Sequence, residues 1–462
     1  VLTLNLISML AQPEPTLLQR LVFGERPALW VILAYSALIM ATVVAGFVAL
    51  IPLFCIWWER KVSGRIQSRY GPNRVGPIGL LQSFADGIKL LTKEDLRPSA
   101  ADTLLFRLAP YLAFVPVFAA FLAIPFAPDM VFEPNLAVGV FWILSILSVE
   151  VMGVILAGWG SNNKWSVYGA MREACQMVSY EIPLGLAIIV AVMAAGTLNL
   201  LELGMLQGGG VHTWLIFKNP FVMLAFLAYF VASLASNKRA PFDLPESESE
   251  LVAGYHTEYS GLRFSFFFFA EYAAMFVVGA IQVTLFLGAW HDPFGLVGYW
   301  YHRFTVSDNA AGLAIMNLVG AAIFVLKCFT IIYVQMWIRW TLPRPRIDQV
   351  LYACVKVLLP LTCVLLAGAA VWQLMVPELR IPGLTNLPVP WADYSPFSWS
   401  QWRQFGGLPS LITQTVLAVI GVGLFLAAVG WIGYAFATRG QVTPRLFEAE
   451  PIGGIKGAEA AS

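Results

Sequence analysis

Charge is scarce in this chain: charged side chains make up 12% of the 462 residues, while 59% are hydrophobic and 14% aromatic. Soluble domains carry roughly 25% charged residues, so a water-soluble globule is excluded. The 28 Lys plus Arg against 27 Asp plus Glu leave a net charge of +1, which excludes a global field recruiting nucleic acid or an acidic partner. The five cysteines (Cys55, Cys175, Cys328, Cys354, Cys363) lie mostly inside apolar runs with no C-x-x-C pair. That argues against a disulfide framework, a zinc site or a chain-borne iron–sulfur cluster, and any redox centre belongs to another chain. The four histidines (His212, His256, His291, His302) form no H-E-x-x-H spacing, and no G-x-x-x-x-G-K-[ST] loop is present. Metal-assisted hydrolysis and nucleoside triphosphate chemistry are therefore not expected. No internal repeat is visible, which speaks against an inverted-repeat carrier.

What the chain has is long apolar runs. About 20 apolar residues cross a hydrocarbon core about 30 Å thick. Nine stretches qualify, near 28–57, 103–126, 136–158, 168–196, 219–236, 264–290, 312–340, 347–376 and 411–436. The predicted fold class is an all-α integral membrane protein of about nine transmembrane helices. The first run is too long for a signal peptide and lacks a cleavage site, so it is expected to remain in the mature protein. Lys and Arg are concentrated in 59–101, 159–167, 237–263, 341–346 and 437–462. By the positive-inside rule these segments are cytoplasmic, with the N-terminus periplasmic and the C-terminus cytoplasmic. The expected organisation is an N-terminal segment (1–27), an eight-span core (28–376), a periplasmic-side connection (377–410), an extra helix (411–436) and a cytoplasmic tail (437–462).

Two cytoplasmic segments are longer or more charged than a connection requires. In 59–101, Leu80, Leu81, Phe84, Ile88 and Leu91 fall on one face of a helical pattern, with Gln82, Asp86, Lys89 and Lys93 elsewhere. This is the signature of an amphipathic helix lying in the membrane interface. It can roof a cavity at headgroup depth or serve as a basic anchor for anionic lipid. The prolines of GPNRVGP make a rigid turn presenting Arg69 and Arg74 and remove the amide donors that a phosphate loop needs. In 237–263, Asp243, Glu246, Glu248, Glu250 and Glu258 crowd together after Arg239, between two spans. Crowded, partly buried carboxylates raise one another's pKa and can pass protons; a solvated acidic face is the plainer reading. Inside the spans stand Glu150, Arg172, Glu173, Glu181, Glu271, Lys327 and Lys356. A central charge there costs about 2.5–3.5 kcal/mol on insertion scales, so such groups mark a pathway or a structural pair.

The blocks ERKVSGRIQSRYGPNRVGPIGLLQSFADGIKLLTKED, SNNKWSVYGAMREACQMVSYEIPLG, SNKRAPFDLPESESELVAGYHTEYSG, FFFFAEY and LPRPRIDQ occur in that order from about Trp30 to Leu359. They resemble the family of the membrane-embedded H subunit of bacterial NADH:quinone oxidoreductase, respiratory complex I, to which mitochondrial NADH dehydrogenase subunit 1 is related. The resemblance implies a helical bundle where the redox arm meets the membrane arm, helping to form the quinone chamber and coupling quinone reduction to proton translocation. It implies a bacterial inner-membrane location. Iron–sulfur-bearing peripheral subunits and small and antiporter-like membrane subunits are implied as partners, together with quinone and lipid. FMN and iron–sulfur clusters would sit in those partners, with no cofactor bound by this chain and quinone as substrate.

Carried onto this sequence, the resemblance puts Arg60, Arg65, Arg69, Asp86, Arg239, Phe268 and Arg346 along the quinone path. It puts Glu59, Tyr180, Glu181, Asp243, Glu246, Glu248, Glu250, Glu258 and Glu271 in an acidic proton relay. Glu173 and Cys175 depart from the family pattern, where small uncharged residues are expected, and the extra carboxylate is expected to alter pairing near Arg172. Two other readings remain open: the corresponding component of a proton-pumping hydrogenase or ferredoxin-driven reductase, and an ion-coupled secondary transporter.

Overall fold

The computed structural model describes residues 49–131, 136–208, 210–307 and 310–375. These belong to the first of two compact units, Val1–Gly407. The expected helix at 411–436 and most of the first expected span lie outside the described residues.

Among the described residues the chain is helical, with only an isolated bridge between Ala127 and Met130. The principal helices are α1 (Ala49–Ile66), α2 (Gln82–Thr92), α3 (Thr103–Ala120), α4 (Gly139–Gly160), α5 (Lys164–Ala195) and α6 (Pro220–Ser236). They continue with α7 (Gly261–Phe286), α8 (Leu296–Val306), α9 (Ala310–Thr341), α10 (Ile347–Ala353) and α11 (Leu359–Met375). Six helical segments are long and apolar enough to cross a membrane: Thr103–Ala123, Gly139–Gly160, Lys164–Ala195, Gly261–Phe286, Ala311–Thr341 and Ile347–Gln373. Pro220–Ser236 is a shorter apolar helix.

The helix starts are written locally. Asp102 accepts hydrogen bonds from the amides of Leu104 and Leu105 and so caps α3. Asn163 caps α5 through the Trp165 amide. Asn219 caps α6 through Phe221, with Pro220 at the first helical position, where its missing amide costs nothing. A π-turn over Cys354–Leu358 joins α10 to α11.

Burial separates α7 from the other spans. Its apolar window is 72% buried, against 28% for Ile347–Gln373 and 33% for Ala311–Thr341. The outer helices therefore leave Phe141, Trp159, Leu318, Leu326 and Val364 exposed, as lipid-facing surfaces require, while α7 forms the axis of the bundle. A polar residue on α7 is thus held inside protein. Helix α1 runs on to Ile66, about nine residues beyond the expected end of the first span. Nothing in WERKVSGRI breaks a helix, and the first proline after it is Pro72. Glu59, Arg60 and Arg65, expected in the cytoplasmic segment that follows the first span, therefore stand on the continuing helix.

Helix α2 begins at Gln82, so Leu80 and Leu81 precede it. Those two residues, with Phe84, Ile88 and Leu91, are all exposed, giving the uncovered apolar face that the periodicity predicts. Lys327 has a structural task at a helix end. Its Nζ donates to the carbonyls of Leu287, Ala289 and His291 at 2.6, 3.0 and 2.6 Å, closing the C-terminal end of α7, where orphan carbonyls gather.

Candidate functional site

A cavity of about 240 Å³ lies where α1, α7, α9 and the 237–263 segment meet. Its walls include Glu59, Arg60 and Ser63 from α1, Phe268, Glu271 and Tyr272 from α7, and Arg339 and Trp340 from α9. Lys238, Arg239, Ala240, Asp243 and Glu246 close it from the acidic segment. The geometry follows from the helices. Glu59, Arg60 and Ser63 are spaced to share one face of α1, as Phe268, Glu271 and Tyr272 do on α7.

A chain of ion pairs crosses the cavity. The Arg239 guanidinium is 3.1 Å from Glu59 Oε2 and 2.9 Å from Glu271 Oε1. Arg339 pairs with Glu59 Oε1, and the Tyr272 hydroxyl donates to Glu59 Oε2 at 2.7 Å. Arg239 also lies 4.0 Å from the centre of the Tyr272 ring. Glu59, Arg239 and Glu271 are all buried, so each charge depends on its neighbours for compensation.

The acidic segment is folded onto this chain. Glu246 accepts a hydrogen bond from the Tyr255 hydroxyl at 2.9 Å, and its Oε1 stands 2.8 Å from His256 Nε2. Burial works to raise its pKa, but His256, Tyr255 and Lys238 outweigh it and hold the carboxyl at about 2. Asp243 behaves oppositely. Burial and the nearby Glu246 push it up to about 6, against Arg344, Arg339 and Arg239, and its Oδ2 accepts from Arg344 at 3.0 Å. Gly254 fixes the turn at φ +55°, where a Cβ would meet the Pro245 carbonyl oxygen at 1.8 Å. Only glycine permits that approach.

The two shifts have opposite signs in stability. Glu246, held below its ordinary value, stabilises the folded state above that value, and the contribution is lost as pH falls towards 2. Asp243, held above its ordinary value, favours the folded state in acid, and that contribution is lost as pH rises through about 6. Asp243→Asn is expected to remove a titration step near pH 6 from the protein's stability-versus-pH profile. An unchanged step assigns it to another group.

Of the residues singled out in the sequence, Glu59, Arg60, Arg239, Asp243, Glu246, Phe268 and Glu271 come together in this cavity. Asp86 joins its edge by pairing with Arg60. Others lie apart. Arg65 and Arg69 are exposed beyond the cavity, with Arg69 Nε donating to Gln67 at 2.7 Å. Arg346 is the exposed N-cap of α10. Tyr180 is buried and donates to the Val350 carbonyl at 2.9 Å, tying α5 to α10. Glu181 lies half-buried on α5, next to Ser148 of α4. Glu250 pairs with Arg172, and Glu258 accepts from Asn163. The Glu248 side chain lies outside the described residues.

Arg339, Tyr272, Lys238, Tyr255 and His256 were missed. Arg339 reads in sequence as an ordinary basic residue ending a span, and only the packing of α9 against α1 turns it inward. The expectation that Glu173 perturbs pairing at Arg172 is corrected: Arg172 pairs with Glu250, and Glu173 turns about 100° round the helix to Lys238.

A polytopic helical membrane protein with a charge-paired cavity beside its most buried span is the class that this geometry defines. Residues 38–370 match the family described as NADH dehydrogenase. The H subunit of NADH-quinone oxidoreductase from Chlorobium luteolum is 46% identical over 348 residues, covering 75% of this chain and 91% of that protein. The H subunit from Chlorobaculum parvum is 46% identical, covering 72% and 91% respectively. That from Anaeromyxobacter dehalogenans is 44% identical, covering 77% and 85%. The chain belongs to the NADH dehydrogenase family, in the branch that holds these H subunits.

Proposed function

We propose that this chain, as the H subunit of an NADH:quinone oxidoreductase, helps to form the quinone-binding chamber and couples quinone reduction to proton translocation. The observation that carries this reading is the cavity itself, where Phe268 and Trp340 meet Arg60, Arg339, Arg239 and four carboxylates. At about 240 Å³ it is smaller than the roughly 300–1,000 Å³ usual for ligand pockets. It suits the approach of a quinone ring, with partner subunits supplying further walls. The exposed apolar side of α2 gives the isoprenoid tail a surface at the lipid interface.

Electrons come from partner subunits that carry FMN and iron–sulfur clusters. Reduction of the quinone by two electrons consumes two protons. Charge appearing on the ring shifts the protonation of carboxylates nearby. The Arg239 bridge between Glu59 and Glu271 responds to that charge, and the Glu246 segment carries the response away from the ring. Glu181, Glu248, Glu250 and Glu258 continue the relay, with Tyr180 positioning α5, while Arg65, Arg69 and Arg346 face the redox arm. The enzyme sits in the bacterial inner membrane with the basic segments cytoplasmic.

Purification of the native assembly in gentle detergent tests the reading. Flavin, iron and NADH:quinone activity are expected to travel with this chain, and Phe268→Ala is expected to raise the quinone KM. A chain that purifies alone, or with nickel, contradicts it.

A further inference from the structure

Beside the cavity, and outside the relay just described, lies a buried group of three charges. Lys238 Nζ is 2.6 Å from Glu173 Oε1 on α5 and 3.1 Å from Glu150 Oε1 on α4. All three residues are buried, Glu173 completely. Glu173 Oε2 has no hydrogen-bond partner among the described residues. Lys238 keeps its charge: burial works against it, but Glu150 and Glu173 hold it well above the ordinary lysine value. One ammonium therefore faces two carboxylates at hydrogen-bonding distance in a low dielectric. That leaves one negative charge in excess, which is costly to bury unless a proton neutralises it.

The placement matters as much as the charge. Lys238 is also a wall of the cavity and lies 5.8 Å from the centre of the Tyr255 ring, whose hydroxyl holds Glu246. On the far side, α4 carries Ser148, the neighbour of Glu181. Among the described residues, the charged groups acting on the trio are Glu246 from the acidic segment, Glu271 from α7 and Glu181 from α5, the last through Glu150.

We propose that Glu150 and Glu173, bridged by Lys238, share one exchangeable proton and form a station between the cavity and Glu181. The inference rests on the relay reading above. A proton arriving from the cavity forms an O–H bond on one carboxylate as the shared proton leaves the other towards Glu181. One proton enters and one leaves, with no change of oxidation state. Because Lys238 lies in the segment that lines the cavity, a movement of that segment on quinone reduction changes which carboxylate it favours.

The test uses the intact complex in vesicles, comparing wild type with Glu173→Gln, Glu173→Asp and Glu150→Gln. Flavin content verifies assembly. Glu173→Gln is expected to lower the quinone-reductase kcat and proton pumping by about tenfold, on the scale by which network positions alter coupling, with the quinone KM unchanged. Infrared difference spectra of quinone reduction are expected to lose a deuterium-sensitive protonated-carboxyl band in Glu173→Gln. Glu173→Asp should shift that band and restore most of the rate. A static ion pair predicts the opposite: unchanged rates and an unchanged band in all three variants, which overturns the proposal. If Glu173→Gln fails to assemble, an unaltered band in Glu173→Asp and Glu150→Gln overturns it equally. Glu271→Gln in parallel separates the two levels, since a loss of activity there with none at Glu173 sinks only the station. Wild-type activity in both sinks the relay.

Discussion

Arg239→Met is expected to reduce the assembled complex severely and to abolish quinone reductase activity in what remains. Arg239 bridges Glu59 and Glu271, at 3.1 and 2.9 Å. Removing one partner of a buried pair costs about 3–5 kcal/mol, because the remaining charge is left uncompensated. The loss is unequal. Glu59 keeps Arg339 and the Tyr272 hydroxyl, whereas Arg239 is the only ion-pair partner of Glu271 among the described residues. The double variant Arg239→Met with Glu271→Gln should therefore recover assembly without recovering activity. Native-gel quantitation and NADH:quinone rates on the same membranes check both halves. Equal losses in the single and double variants would show that Arg239 matters for its packing against Tyr272 rather than for its charge.

The second large effect is expected at Glu246. Held at about 2 by His256, Tyr255 and Lys238 against its burial, it is an anion at any working pH. Glu246→Gln leaves His256 and Lys238 without that anion and removes the negative charge that raises Asp243. Quinone reduction and proton pumping are expected to fall together by about tenfold, the scale of a coupling energy of 1–3 kcal/mol. The titration step assigned to Asp243 should move from near 6 to more acidic pH. Glu248→Gln, in the same segment, is expected to lower pumping as well. Wild-type pumping and reductase rates in both variants refute the role given to the segment.

The helices and the membrane were legible in the sequence because each rests on a local signal. Apolar runs give the spans, and the 3.6-residue spacing of Phe84, Ile88 and Leu91 gives the open face of α2. The helix runs about nine residues past the expected end of the first span because charge alone does not break a helix: α1 carries Glu59 and Arg60 onward to the cavity wall. The site was half legible. Charge placement singled out Arg239, Glu246 and Glu271, and the resemblance added Glu59, but composition cannot tell which cation meets which anion. Arg339 and Glu59 are separated by 280 positions, and Lys238 and Glu150 by 88. Only tertiary packing makes these pairs. The same limit applied at Arg172, where adjacency in sequence suggested Glu173 as a neighbour, while the helix turn carries that carboxylate to Lys238.

Photolabelling of the intact complex with a quinone bearing a photoreactive group on its ring tests the central claim most directly. The account predicts label on this chain within the α1 and α7 segments that line the cavity, around Glu59–Ser63 and Phe268–Tyr272, and its loss when excess quinone competes. Label confined to other subunits, or found on this chain away from those segments and indifferent to competing quinone, contradicts it.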